Sequence, residues 1–125
     1  TFDKAWRATQ IAMSAYPMEI NNMDKGLFIT QDIRSGEIYK PVHDANLKFY
    51  NGDVYKIQVN VFKGSINSNE AIKITINKSL KRQKDFFSNP EVLQTDGLEE
   101  EMIIYRIKRE LLIEKFLEDK AKNNT

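Results

Sequence analysis

The stretch VYKIQVNVF, residues 54–62, followed after Lys63 by GSINSN and then EAIKITINK, constrains this chain more than any other. Tyr55, Ile57, Val59 and Val61 alternate with Lys56, Gln58 and Asn60; after the polar link, Ile72, Ile74 and Ile76 alternate with Lys73, Thr75 and Asn77. A period of two puts each set on one face of an extended strand, and a short Gly/Asn-bearing link folds the two strands back as an antiparallel pair. One face of that pair is apolar and the other polar. The apolar face needs cover from elsewhere in the chain.

Two segments have the right pattern to supply it. In TFDKAWRATQIAMSAY, the residues Phe2, Trp6, Thr9, Met13 and Tyr16 recur at spacings of four and three, flanked by Ala5, Ala8 and Ala12, so one side of a helix is apolar. Pro17 ends it, and Thr1 is placed to cap it, although Lys4 stands where a capping box has an acid. The second segment, NPEVLQTDGLEEEMIIYRIKREL, moves from loop to helix. Asp96 is placed as the cap and Glu99 as the third residue of its box, and the run Glu99, Glu100, Glu101 sits where the helix dipole favours anions.

From Leu98 to Lys120 this second helix is roughly 35 Å long at 1.5 Å per residue, against roughly 20 Å for four strands. It must cross the sheet obliquely or overhang it. Its apolar set, Leu98, Met102, Tyr105, Leu112 and Phe116 joined by Ile103, Ile104, Ile107, Leu111 and Ile113, is wider than one contact with a sheet requires, which predicts a second buried contact.

Residues 18–33 read as a further hairpin, with Met18, Ile20, Leu27, Ile29 and Ile33 inward and NNMDKG as its turn. Residues 34–46 read as a loop, since Pro41 is excluded from a central strand, and Asn51-Gly52 turns a short strand over 47–50 onto the ladder. The expectation is an α+β fold: an antiparallel sheet of four or five strands packed in two layers on an N-terminal helix and a long C-terminal helix. Residues 1–120 form one domain and 121–125 a polar tail.

Few residues carry reaction chemistry. The chain has one His and no Cys, which removes disulfides, thiolate nucleophiles and Cys-based zinc sites together and is compatible with an oxidising or a reducing compartment. His43 adjoins Asp44, but sequence neighbours on a loop rarely face one substrate, so His43 reads as a solvated loop residue. No nucleophile elbow, zinc helix, P-loop or dinucleotide fingerprint occurs, and the glutamate run is accounted for by capping. The reading is therefore non-enzymatic, with no catalytic residue, cofactor or metal. The 19 basic and 18 acidic side chains nearly cancel, so no global field selects a polyanion. One basic cluster, KSLKRQK, precedes Phe86 and Phe87, but the RNP1 pattern is absent and the polar sheet face offers mainly Lys, Gln, Asn and Thr. It reads as a solvated basic loop, with no nucleic acid as partner.

Phe86, Phe87, Val92 and Leu93 sit in the connection between sheet and helix, too irregular to form its own core, and are the candidate contacts for a protein partner. The alternative is a carrier for a small apolar ligand, with a cavity between sheet and helix lined by Tyr55, Ile57, Tyr105 and Phe116.

The segments AWRATQIAMSAYPMEINNMDKGLFITQDI and SNPEVLQTDGLEEEMIIYRIKREL together resemble the BamC-like domains of bacterial envelope lipoproteins, BamC itself being a lipoprotein of the outer-membrane β-barrel assembly machinery. The likeness rests on a Trp-bearing apolar helix (Trp6), a D-x-G turn (Asp24 to Gly26), a strand matched to an I-x-T pattern (Ile29 to Thr30) and the capped amphipathic helix from Asp96 to Leu112. It implies a helix-grip arrangement, a non-enzymatic role on the periplasmic face of the outer membrane, envelope proteins as partners, and contact with the membrane only through a lipid anchor ahead of Thr1.

Overall fold

The computed structural model describes residues 1–34, 53–82 and 91–123, together with positions 38 and 89. Its spine is the expected pair of strands, longer than the alternation alone suggests. Strands β4 (Asp53–Ile66) and β5 (Asn69–Arg82) are 14 residues each and pair along their whole length. The turn is only Asn67 and Ser68, with φ of 51° and 68°. Positive φ at both central residues matches the twist of the flanking strands, and asparagine tolerates that conformation better than most residues. Gly64 and Ser65, read as part of the turn, instead continue the ladder opposite Ala71 and Glu70.

Four shorter strands complete an open antiparallel sheet in the order β1-β2-β4-β5-β6, with β3 also on β4. Strand β1 (Met18–Asn22) pairs with β2 (Leu27–Thr30), which pairs with β4. Strand β3 (Ile33–Arg34) resumes the β2 side of β4 after a break at Gln31 and Asp32, and β6 (Glu91–Leu93) pairs with the end of β5. The six strands among the described residues exceed the expected four or five because the return strand is divided in two and because part of the supposedly irregular connection is a strand.

In the first hairpin Met18 and Ile33 face the core as expected, but β2 presents the opposite face. Phe28 and Thr30 point into the core and are fully buried, whereas Leu27 and Ile29 are only half-buried. The reason is Trp6, whose ring stacks on Phe28 with centroids 4.0 Å apart, together with the Thr30 hydroxyl, which accepts a hydrogen bond from the Ile57 amide at 3.0 Å. A register irregularity between Met18 and Ile20 shifts the alternation in β1 and leaves Ile20 exposed. At the turn between β1 and β2, Gly26 has φ of 62°, and its carbonyl accepts from the Val61 amide at 2.8 Å. A Cβ there would lie 2.3 Å from the Val61 oxygen, so the close backbone approach requires glycine.

Helix α1 (Phe2–Ala12) is capped by Thr1 and buries Ala5, Trp6, Ala8, Thr9 and Ala12, with Met13 and Tyr16 continuing the apolar line beyond its end. Helix α2 (Leu98–Asn123) runs through most of the segment read as a tail. Ile103 and Ile107 of α2 join Tyr55, Ile57, Val59 and Val61 of β4 and the apolar side of α1 in one core, so both helices cover one face of the sheet. At 26 residues α2 is roughly 39 Å long, and its second half lies along α1. The residues 35–37 and 39–52, including His43, Pro41 and the short strand expected over 47–50, lie outside the described residues.

Candidate interaction surface

Two features of α2 were not legible as such in its sequence: a buried carboxylate at its start and an apolar face left in solvent toward its end. The start is held by Glu99. The Asp96 side chain accepts from the Leu98 amide at 3.0 Å in a turn just ahead of the helix, whose first carbonyl acceptor is that of Gly97, and Glu99 does not complete a box. It is 1% exposed and accepts hydrogen bonds from the hydroxyls of Tyr16 at 2.5 Å and Tyr55 at 2.9 Å, and from the ammonium of Lys78 at 3.1 Å. The Lys78 ammonium also lies 4.4 Å from the centre of the Tyr55 ring. Glu100 takes the local role, accepting from Thr95, whose oxygen in turn accepts from the Gly97 amide.

Glu99 thus joins α2 to the end of α1, to β4 and to β5 through three donors. Both of its oxygens are occupied, so the group is a pin between layers rather than a base facing a substrate. Burial, followed by the hydrogen bond to the Glu99 carboxylate and its charge, pushes the Tyr16 phenol well above its usual range. Tyr16 therefore stays neutral and a donor. Of the basic cluster read as a loop, Lys78, Lys81 and Arg82 are in β5, with Lys78 on Glu99, Arg82 paired through two nitrogens with Asp53 at 2.7 and 3.0 Å and Lys81 exposed; Lys84 lies outside the described residues.

Farther along, ion pairs from Lys4 to Glu118 at 2.9 Å and from Arg7 to Glu114 fasten α2 to α1. The hydrogen bond from Lys4 holds the Glu118 carboxyl below its usual value. With that side fixed, the opposite side has no cover among the described residues. Phe116 follows Ile107 by nine positions, about 180° around a helix at 100° per residue, so one faces the core and the other solvent. Leu112 is 67% exposed, Phe116 65% and Tyr105 66%, and Ile113 and Leu117 are exposed beside them. Leu112, Ile113, Phe116 and Leu117 line a shallow, almost wholly apolar surface bordered by Arg109, Lys115 and Asp119. This corrects the assignment of Leu112, Tyr105 and Phe116 to the core. It also corrects the ligand cavity, since Tyr105 and Phe116 do not face Tyr55 and Ile57, which are buried in the sheet–helix core.

Of the contacts expected in the connection, Phe86 and Phe87 lie outside the described residues. Val92 is 76% exposed in β6, opposite Lys81, while Leu93 is half-buried opposite Leu80. The structure therefore separates the pair, one exposed and one half-buried. The excess apolar width of α2 was the sequence signal for the larger surface; which part of that width is uncovered depends on which side of the helix docks against α1 and the sheet.

The chain matches no protein-family model and shows no significant match to a curated protein.

Proposed function

We propose that this domain is a non-enzymatic interaction module that binds a protein partner through the outer side of α2. The observation that carries the reading is the contiguous exposure of Leu112, Ile113, Phe116 and Leu117 on a helix already fixed to α1 on its other side. Burying a leucine or phenylalanine side chain stabilises by about 1.5–3 kcal/mol, and the fold leaves that contribution unused at several adjacent positions. Clustered apolar side chains with a charged border are the usual form of a contact site. The resemblance to BamC-like lipoprotein domains supports envelope proteins as the partner class and the periplasmic face of the outer membrane as the place.

Changing Leu112 and Phe116 together to Ser tests this reading. Both side chains are mostly in solvent, so the melting temperature should stay nearly unchanged. A photo-crosslinking residue at position 116 should give discrete adducts in cells that one at position 58, on the open sheet face, does not. A large fall in melting temperature, or equal labelling from both positions, would reject the surface as a binding site.

A further inference from the structure

The edge of β5 opposite β4 is paired with β6 only from Leu80 to Arg82. From Asn69 to Ser79 no strand lies against it among the described residues. The direction of its amides follows from β4. The amides of Val61 and Ile57 donate away from β5, to the Gly26 carbonyl and the Thr30 hydroxyl. In an antiparallel ladder, directly opposed residues turn their backbone groups either toward one another or both away. Ile74 opposes Val61 and Lys78 opposes Ile57, so the groups of Ile74 and Lys78, and by alternation those of Glu70, Ile72 and Ile76, point out of the free edge. A row of unpaired donors and acceptors of this length is a template for another strand.

We propose that this edge pairs with the same edge of a second copy of the chain, antiparallel about a two-fold axis at Ile74, forming one continuous sheet across two protomers. The strand is self-complementary in that register. Ile74 meets Ile74 of the other copy, Ile72 meets Ile76, and Glu70 meets Lys78; on the open face Lys73 meets Thr75 and Ala71 meets Asn77. No like charges oppose one another, and the Lys78 ammonium, held by Glu99 in its own copy, takes no part in the contact. Ile72, Ile74 and Ile76 are half-buried against the core on the helix side, so the two apolar rows would continue into each other. A two-fold axis satisfies every outward group from Glu70 to Lys78 in both copies, whereas a head-to-tail pairing would leave edges for further addition. This inference uses no residue of the outer side of α2 and stands apart from the function proposed above.

The test combines mass, register and backbone chemistry. Sedimentation velocity from low micromolar to millimolar protein should show a reversible species of twice the 14.6 kDa chain mass. Hydrogen exchange should show the amides of Glu70, Ile72, Ile74, Ile76 and Lys78 gaining protection as that species forms. Replacing Ile74 with Pro removes an amide that faces the free edge and none that bonds β4, so the variant should retain its circular dichroism and remain monomeric. In the proposed register Lys73 and Thr75 of opposite copies form a non-hydrogen-bonded pair with Cα atoms about 4.5 Å apart, within the span of a disulfide. The chain has no Cys of its own, so Lys73→Cys with Thr75→Cys should cross-link readily on oxidation and Lys73→Cys alone should not. A protein that stays monomeric at millimolar concentration, with no cross-link from the double variant, would overturn the inference. So would a dimer that persists in Ile74→Pro but is lost in Leu112→Ser with Phe116→Ser, since the copies would then meet through α2.

Discussion

Glu99 offers the sharpest test of how this fold is held together. Replacing it with Gln preserves shape and length, and glutamine fills a capping box as well as glutamate does, so a residue that only capped α2 would lose almost nothing. The structure demands a different outcome. Glu99→Gln leaves the Lys78 ammonium, its side chain 11% exposed, beside a neutral amide, and offers one acceptor oxygen where the carboxylate served three donors. Breaking a buried pair by removing one partner costs about 3–5 kcal/mol; Lys78 retains some solvent and the amide oxygen can still accept, so the expected cost is about 3 kcal/mol. For a chain of this size that corresponds to a fall of roughly 10 °C in melting temperature. Urea unfolding of Glu99→Gln beside Glu101→Gln, an exposed control in the same turn, measures the difference. Adding Lys78→Met should recover part of the loss, because the uncompensated charge is then gone. If Glu99→Gln unfolds within about 0.5 kcal/mol of the parent, as a surface substitution would, the pin is refuted and the glutamate run is there for the helix dipole alone.

Two further outcomes follow from the same geometry. Because the folded state holds the Tyr16 phenol above its ordinary value of 10.0, the stability it contributes is complete below that pH and is lost as pH rises above it. Tyr16 then accounts for a decline of about 1.4 kcal/mol per pH unit at most, and Tyr16→Phe should flatten the alkaline limb of stability measured by urea unfolding. Gly26→Ala should destabilise by about 1–3 kcal/mol, since it combines positive φ with a Cβ driven onto the Val61 carbonyl; a change below about 0.5 kcal/mol would mean that the turn relaxes freely.

The sequence by itself determined the two helices, the long strand pair and the inward face of β4 and α1. The alternation from Tyr55 to Val61 is local and strict, and every one of those inward residues is buried; the line from Trp6 through Thr9 and Met13 to Tyr16 is buried as well. Periodicity reports these directly because it follows from backbone geometry. It could not report what a face meets. Leu27 and Ile29 looked like core residues by hydrophobicity, but Trp6 on a distant helix selected Phe28, and the one-residue difference in register turned the whole strand over. Glu99 looked like a capping acid because capping depends only on its neighbours in sequence, whereas its actual partners, Tyr16, Tyr55 and Lys78, come from three other segments. Likewise the apolar arc of α2 was visible as too wide, yet Ile107 and Phe116 are equally apolar in sequence. Only the docking of α2 on α1 and the sheet, which turned the Ile107 side inward and left Phe116 on the opposite side, decided that one is core and the other surface.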